Sequence, residues 1–234
     1  AGGILISDDT APATLNFITG NTVQKNPFDC GITLASHPRA SIAGSGNPLG
    51  VTQNTISENL STQNGLNSPG NGAGVGIFVG AANGTNSGNI VIGNTLTKNS
   101  LPGVTMHAHA PGEVFTNNVI VDNTISGNQA DTQDAMTSGP TGINVYGLSA
   151  ATGTIISGNS ITDEMFDVVV NTPANVDVNL NNLEGKETGL QTLNAGAANA
   201  TQNFWGCPKG PGAKGCSTTS GSSITFIPFS STRF

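Results

Sequence analysis

One seven-residue phrase constrains this chain more than anything else in it. Gly93-Asn94-Thr95-Leu96-Thr97-Lys98-Asn99 returns as Gly20-Asn21-Thr22-Val23-Gln24-Lys25-Asn26 and as Gln53-Asn54-Thr55-Ile56-Ser57-Glu58-Asn59. It returns again as Asp122-Asn123-Thr124-Ile125-Ser126-Gly127-Asn128, and more loosely at Gly158-Asn159-Ser160-Ile161-Thr162. Such self-similarity marks a repeat architecture. An aliphatic residue stands three places before each key Asn (Ile18, Val51, Val91, Ile120, Ile156) and another two places after it (Val23, Ile56, Leu96, Ile125, Ile161). Weaker copies run through Val178-Asn181-Leu183 and Ala200-Asn203-Trp205. The steps from Ile156 to Val178 and from Val178 to Ala200 are both 22 residues, which reads as the bare repeat, and the longer earlier steps read as the same turn carrying inserted loops.

A second column interleaves with the first. It aligns Ile4, Ile32, Ile77, Val104, Ile143, Val168, Leu190 and Ile224, with Gly ahead of most of them at Gly3, Gly31, Gly76, Gly103, Gly142 and Gly189. Apolar residues alternate with variable ones around each position, the period-two signature of strands with one buried face. A unit of about 22 residues with two or three short strands cannot bury its own apolar face, so neighbouring units must stack into one core, as solenoids do. Rungs then lie about 4.8 Å apart and pair in parallel. Asn21, Asn54, Asn94, Asn123 and Asn159 are expected to form a structural ladder. Asn tolerates left-handed backbone, and stacked amides bond along the column.

Composition narrows the function classes. Only 9% of residues are charged and the net charge is −7. That leaves no basic patch for nucleic acid and no attraction to an anionic membrane surface. The apolar stretch 74–82 is far too short to span a bilayer. Few Lys and a Cys pair near the C-terminus point to an exported protein, secreted or on the cell surface.

The repeat units are similar to those of parallel β-helix proteins, the superfamily whose best-known members are pectate-lyase-like. The tail Asn203-Phe204-Trp205-Gly206-Cys207-Pro208, with Gly210-Pro211, resembles a motif that ends many exported bacterial β-helix proteins. The resemblance implies an all-β, single-stranded, right-handed parallel β-helix of about seven coils with loop insertions. Residues 1–234 would form one domain, with 203–234 as its capping segment. The loops Pro38–Gly50, Leu60–Gly74, Gln129–Thr141 and Gly206–Ser222 are expected to project from the rod. The chain opens within a strand, so two expectations stand: either further residues precede it, or the first rung offers unpaired backbone groups to a neighbouring subunit, a head-to-tail contact that need not close.

Cys207 and Cys216 enclose a short Gly/Pro-rich loop and read as a disulfide. The other reading is half a metal site, for which no further Cys or His stands nearby. Cys30 reads as a buried free thiol. The outward stripe of the second column is the candidate ligand surface, with Thr105, His107, His109, Asn144 and Tyr146 forming a polar and aromatic cluster suited to a sugar. The competing description is a solvated face. His37 and His109 fall roughly 9–10 Å apart on alternate rungs, too far to share an ion, and His107 with His109 is only a two-ligand start, so no metal and no cofactor is expected. Three acidic pairs are present: Asp8-Asp9, Asp163-Glu164, and Asp131 with Asp134, the last a candidate for calcium. The Asn-Thr-Asp, Gly-His-Gly and Arg-Ile-Lys motifs of glycoside hydrolases on this fold are absent, and only two Arg exist to serve a lyase, Arg39 and Arg233. These observations favour a non-catalytic structural or adhesive protein, with a carbohydrate-binding or polysaccharide-degrading protein as the alternative.

Overall fold

A computed structural model describes residues 2–37, 48–68 and 70–234, and every regular element among them is a strand. The strands stack in parallel into sheets of eight, eight, six and three. In the long sheet the neighbours, in chain order, are Ile4–Ser7, Ile32–Ser36, Val75–Val79, Val104–Ala108, Thr141–Tyr146, Phe166–Asn171, Thr188–Thr192 and Thr218–Ser220. Each strand therefore pairs with the one a full coil later, as a parallel β-helix requires. Pro38–Asn47, most of one expected loop, lies outside the described residues.

The core is a set of vertical rows. Ile32, Val75, Val104, Ile143, Val168 and Leu190 stand one above another. So do Ile18, Ile56, Val91, Ile120, Ile156 and Val178. All of them are buried. Three sequence alignments are corrected here. Ile77 stacks on Leu34 rather than Ile32, a slip of two residues that keeps the same face inward. Its glycine shifts with it: Gly74, not Gly76, shares the row of Gly31 and Gly103. Ile224 belongs beside Ala198 in the other eight-stranded sheet, and Thr219 pairs with Leu190. In the second phrase, Ile56 sits on Ile18 and Ser61 on Val23, while Val51 joins Ala13 and Asn86 in the small sheet. By sequence alone that phrase aligns one strand too early, because the Asn-x-aliphatic unit repeats every five residues within a coil.

Three Asn ladders hold the coils together. In each, the backbone N–H and Nδ2 of one Asn both donate to the Oδ1 of the Asn on the next rung. The central ladder runs Asn21, Asn59, Asn94, Asn123, Asn159, Asn181, Asn203, with bonds of 2.9–3.0 Å. Asn54 is not in it. It belongs to a neighbouring ladder of Asn16, Asn54, Asn89 and Asn118. The third runs Asn26, Asn64, Asn99, Asn128. The left-handed backbone expected of these Asn falls on the residue before them instead, as at Lys25, Glu58, Gly93, Asp122 and Gly158. That residue turns the corner, and the Asn ties the corner to the rung above. Gly103 has its own reason. A Cβ there would meet Ile125 Cγ2 at 2.6 Å and the Asn128 amide at 3.1 Å, so the long strand can pass close to a ladder only as glycine.

The third ladder ends in a carboxylate. Glu164 Oε1 accepts from Asn128 N and Nδ2 at 3.0 and 2.9 Å, while Oε2 is buried without a partner. Burial raises Glu164 to about 7 against the pull of Asn128, and the nearby Asp167 is also raised by burial. At the last rungs, Trp205 is wholly buried with Phe226 edge-on at 6.4 Å. Cys207 and Cys216 form a disulfide with Cα atoms 5.1 Å apart. Two expected loops are partly strand: Leu60–Thr62 joins the six-stranded sheet and Thr218–Ser220 ends the long one.

Asn94→Ala strips an acceptor from two buried donors and is expected to cost about 3 kcal/mol. Asn21→Ala, which accepts from no described residue below it, is expected to cost under about 1 kcal/mol. Urea unfolding followed by circular dichroism measures both, and equal costs would refute the ladder as the stabilising element. For Glu164, a raised folded pKa means the fold favours the neutral acid. Its stabilising contribution is present below the ordinary carboxylate range and is lost as pH rises through about 7. Glu164→Gln is therefore expected to be more stable than the parent by about 2 kcal/mol at pH 8, with the gap closing toward pH 4.

Candidate functional site

The inserted loop after Asn128 does not project. It folds down onto the outer face of the long sheet. Asp131 organises it: its N–H donates to Thr137 Oγ1 at 2.7 Å, its carbonyl accepts from Thr137 N at 2.8 Å, and its Oδ1 accepts from the amides of Asp134 and Ala135 at 3.1 and 3.3 Å. Asn171 Nδ2 donates to the Ala135 carbonyl at 3.3 Å, pinning the loop to the sheet. The outward stripe read from sequence is thus largely covered. Thr105, His107 and Asn144 are buried, Tyr146 is half-buried, and His109 remains exposed at the loop's edge. Register also changes one neighbour: Phe78, not Gly80, lies beside His107.

Under that loop His107 and His109, two residues apart and so on the same face, meet two carboxylates from the loop. His107 Nδ1 lies 2.9 Å from Asp131 Oδ2, and Thr105 Oγ1 donates to the same oxygen at 3.4 Å. His107 Nε2 lies 2.7 Å from His109 Nε2 and 3.8 Å from Asp134 Oδ2. His109 Nδ1 lies 3.5 Å from Asp134 Oδ1. Phe78 stacks on the His107 ring at 4.3 Å with planes 21° apart. With the Asp131 carboxylate accepting only, Nδ1 of His107 donates to it, and Nε2 faces His109. Burial lowers His109, and the neighbouring His107 lowers it further against the pull of Asp134 and Asp131. Burial pushes Asp131 up, but the hydrogen bond and charge of His107 and two backbone amides outweigh it, and the carboxyl lies below its ordinary value.

The remaining sequence candidates fall elsewhere. Asp131 and Asp134 stand at opposite nitrogens of the His107 ring, Asp131 Oδ2 at Nδ1 and Asp134 Oδ2 nearer Nε2. Asp8 is a buried staple that accepts from Ser36 Oγ, His37 N and Gly50 N. Asp9 takes a hydrogen bond from Ser7 and sits 3.8 Å from His37 Nδ1. Asp163 turns a corner with positive φ and faces Lys186 at 3.7 Å, away from its neighbour Glu164 in the ladder. Cys30 is buried and free, and burial pushes its thiol up to about 12. Sequence reading gave no sign that Asp131, Asp134 and Phe78 would join the His pair. The first two lie more than twenty residues further on, in a loop without strand periodicity, and alignment by sequence sets Phe78 two residues out of register, beside Thr105 rather than His107.

Two clefts open on the outer face, the first reaching the loop only through His109, which faces Asp134, and the second lined in part by Met136 of the loop. One, of about 290 Å³, is lined by Leu5, Thr33, His37, Phe78 and His109. The other, of about 340 Å³, is lined by Met136, Tyr146, Leu148, Asn171, Pro173 and Asn194. Both have an apolar floor with an aromatic ring and polar groups at the edge, the usual make-up of a small-ligand site.

Asp131→Asn is expected to cost about 2 kcal/mol at pH 7, where the charged hydrogen bond to His107 is intact. Because the folded Asp131 is lowered, that contribution is present above the ordinary carboxylate value and lost as pH falls through the lower folded one. The gap between parent and variant is therefore expected to narrow in urea melts as pH is lowered below the ordinary carboxylate value, and a pH-independent gap would overturn the His107–Asp131 assignment. No family model, curated protein or solved structure matches the chain.

Proposed function

We propose that this protein is a non-catalytic, exported structural or adhesive solenoid, a right-handed parallel β-helix of about seven coils of the pectate-lyase-like kind. Its binding surface holds a polysaccharide in the clefts on either side of the loop 129–141. The observation that carries this reading is the placement of Phe78 and Tyr146. Each is an aromatic ring in a cleft that also holds apolar side chains, Leu5 in one and Leu148 in the other, and polar groups, His37 and His109 in one and Asn171 and Asn194 in the other. One face of Phe78 is taken by His107, which holds the ring in place at the wall of the first cleft. A sugar ring offers both an apolar face for such a platform and hydroxyls for the polar edge. The disulfide fits an oxidising compartment, which supports the extracellular placement.

A second reading has one observation of its own. The chain Asp131–His107–His109 ends at the edge of the first cleft and has the form of a proton relay, which a polysaccharide-cleaving enzyme would use.

A polysaccharide panel immobilised as an array, followed by calorimetry on any ligand found, separates the two. The expected result is binding without release of reducing ends or unsaturated products, weakened at least about tenfold in Tyr146→Ala or Phe78→Ala. Turnover abolished by His109→Ala would replace the first reading with the second, and binding unchanged in both aromatic variants would remove the clefts from either.

A further inference from the structure

We infer that His107, His109 and Asp134 form a binding site for a divalent transition-metal ion of the zinc class, with Asp131 as the residue that orients His107. The three ligating side chains offer donor atoms that all lie within 4.8 Å of one another. Zinc bonds of about 2.0–2.1 Å place neighbouring donors around a tetrahedral ion roughly 3.3 Å apart. The observed separations of 2.7 Å between the two Nε2 atoms and 3.8 Å from His107 Nε2 to Asp134 bracket that value. His109 and Asp134 are each about two-fifths exposed, at 42% and 38%, so both side chains can turn to equalise the spacing.

The support around these groups is what a metal site needs. Histidines that bind metals hand their other ring N–H to a carboxylate, which fixes the tautomer and raises the basicity of the ligating nitrogen. His107 does this with Asp131, a carboxylate buried beneath the loop and itself held by the amides of Asp134 and Ala135. Phe78, stacked on the ring, removes its remaining freedom. His107 Nε2 is thereby aimed at His109 and Asp134, and an arriving ion takes its lone pair by displacing any proton held there. A depression of about 150 Å³, whose lining includes Asp29, Asn71, His107, His109 and Asp134, gives an ion a way in. Two imidazoles and one carboxylate favour zinc, copper or nickel over calcium and magnesium, which take oxygen ligands. With three protein ligands, a four-coordinate ion would keep one position for water or another ligand. The inference stands apart from the polysaccharide reading and holds whether or not a sugar binds there.

The test uses the full chain without a histidine tag, stripped with EDTA and desalted. Zn²⁺ is titrated in competition with a chromogenic chelator at pH 7.5, and Co²⁺ is followed by visible absorption. Expected are one equivalent per chain with micromolar or tighter affinity, a cobalt d–d band, and weaker binding at pH 5.5, where protons compete for the imidazoles. His109→Ala and Asp134→Asn, both at partly exposed positions, are expected to weaken binding at least about tenfold while the metal-free melting curve is unchanged. Asp131→Asn is expected to weaken it by about tenfold through the misoriented His107 ring. The inference is overturned by no stoichiometric binding of Zn²⁺, by full binding in His109→Ala, or by Ca²⁺ competing as well as Zn²⁺.

Discussion

The fold depends on one arrangement: an Asn side chain at a corner that accepts two hydrogen bonds from the rung beside it and passes two on. Each corner of a coil leaves backbone N–H groups pointing along the stack, where water is excluded. An unmatched buried donor of that kind costs as much as a typical core side chain gains. The Asn Oδ1 meets the backbone N–H and the Nδ2 of its neighbour at once, so corner and strand are satisfied by the same residue. This explains how a chain with so few aromatics still buries a continuous interior. The aliphatic rows supply burial, but the ladders fix how far each coil is wound before the next begins.

That division of labour decides what was legible in the sequence. Rows and ladders are local chemistry repeated, so the all-strand parallel stack, the inward Ile and Val, and the structural Asn could be read directly. Their registration could not always be. A unit that recurs every five residues inside a coil matches itself at two places, which is why Asn54 was set in a ladder that in fact contains Asn59. A period of two permits a silent slip of two, which exchanged Val75 for Ile77. Only the closure of the coil removes these ambiguities, because a wrong choice leaves one ladder without a member.

The site was legible only in part, for a different reason. His107 and His109 announce themselves as a pair on one strand face. Their partners come from a loop whose composition says turn and surface, and whose contacts depend on its falling inward over the sheet. Asp131 gives no warning of this, since its role is to fold the loop and to hold His107 together. Covering Thr105 and Asn144 changed a stripe of solvent-facing polar residues into a floor, and what remained accessible was the edge on either side. Composition predicts whether a loop tolerates water and says little about whether it will lie in it.

The position of Trp205 has a practical consequence. It is the only tryptophan in the chain and is enclosed at the last rungs, against Phe226. A stack in which each coil touches only its neighbours need not come apart everywhere at once. Emission from that indole therefore reports the loosening of one extremity and is blind to events among the earlier coils, so optical signals from different depths of the rod need not share a midpoint.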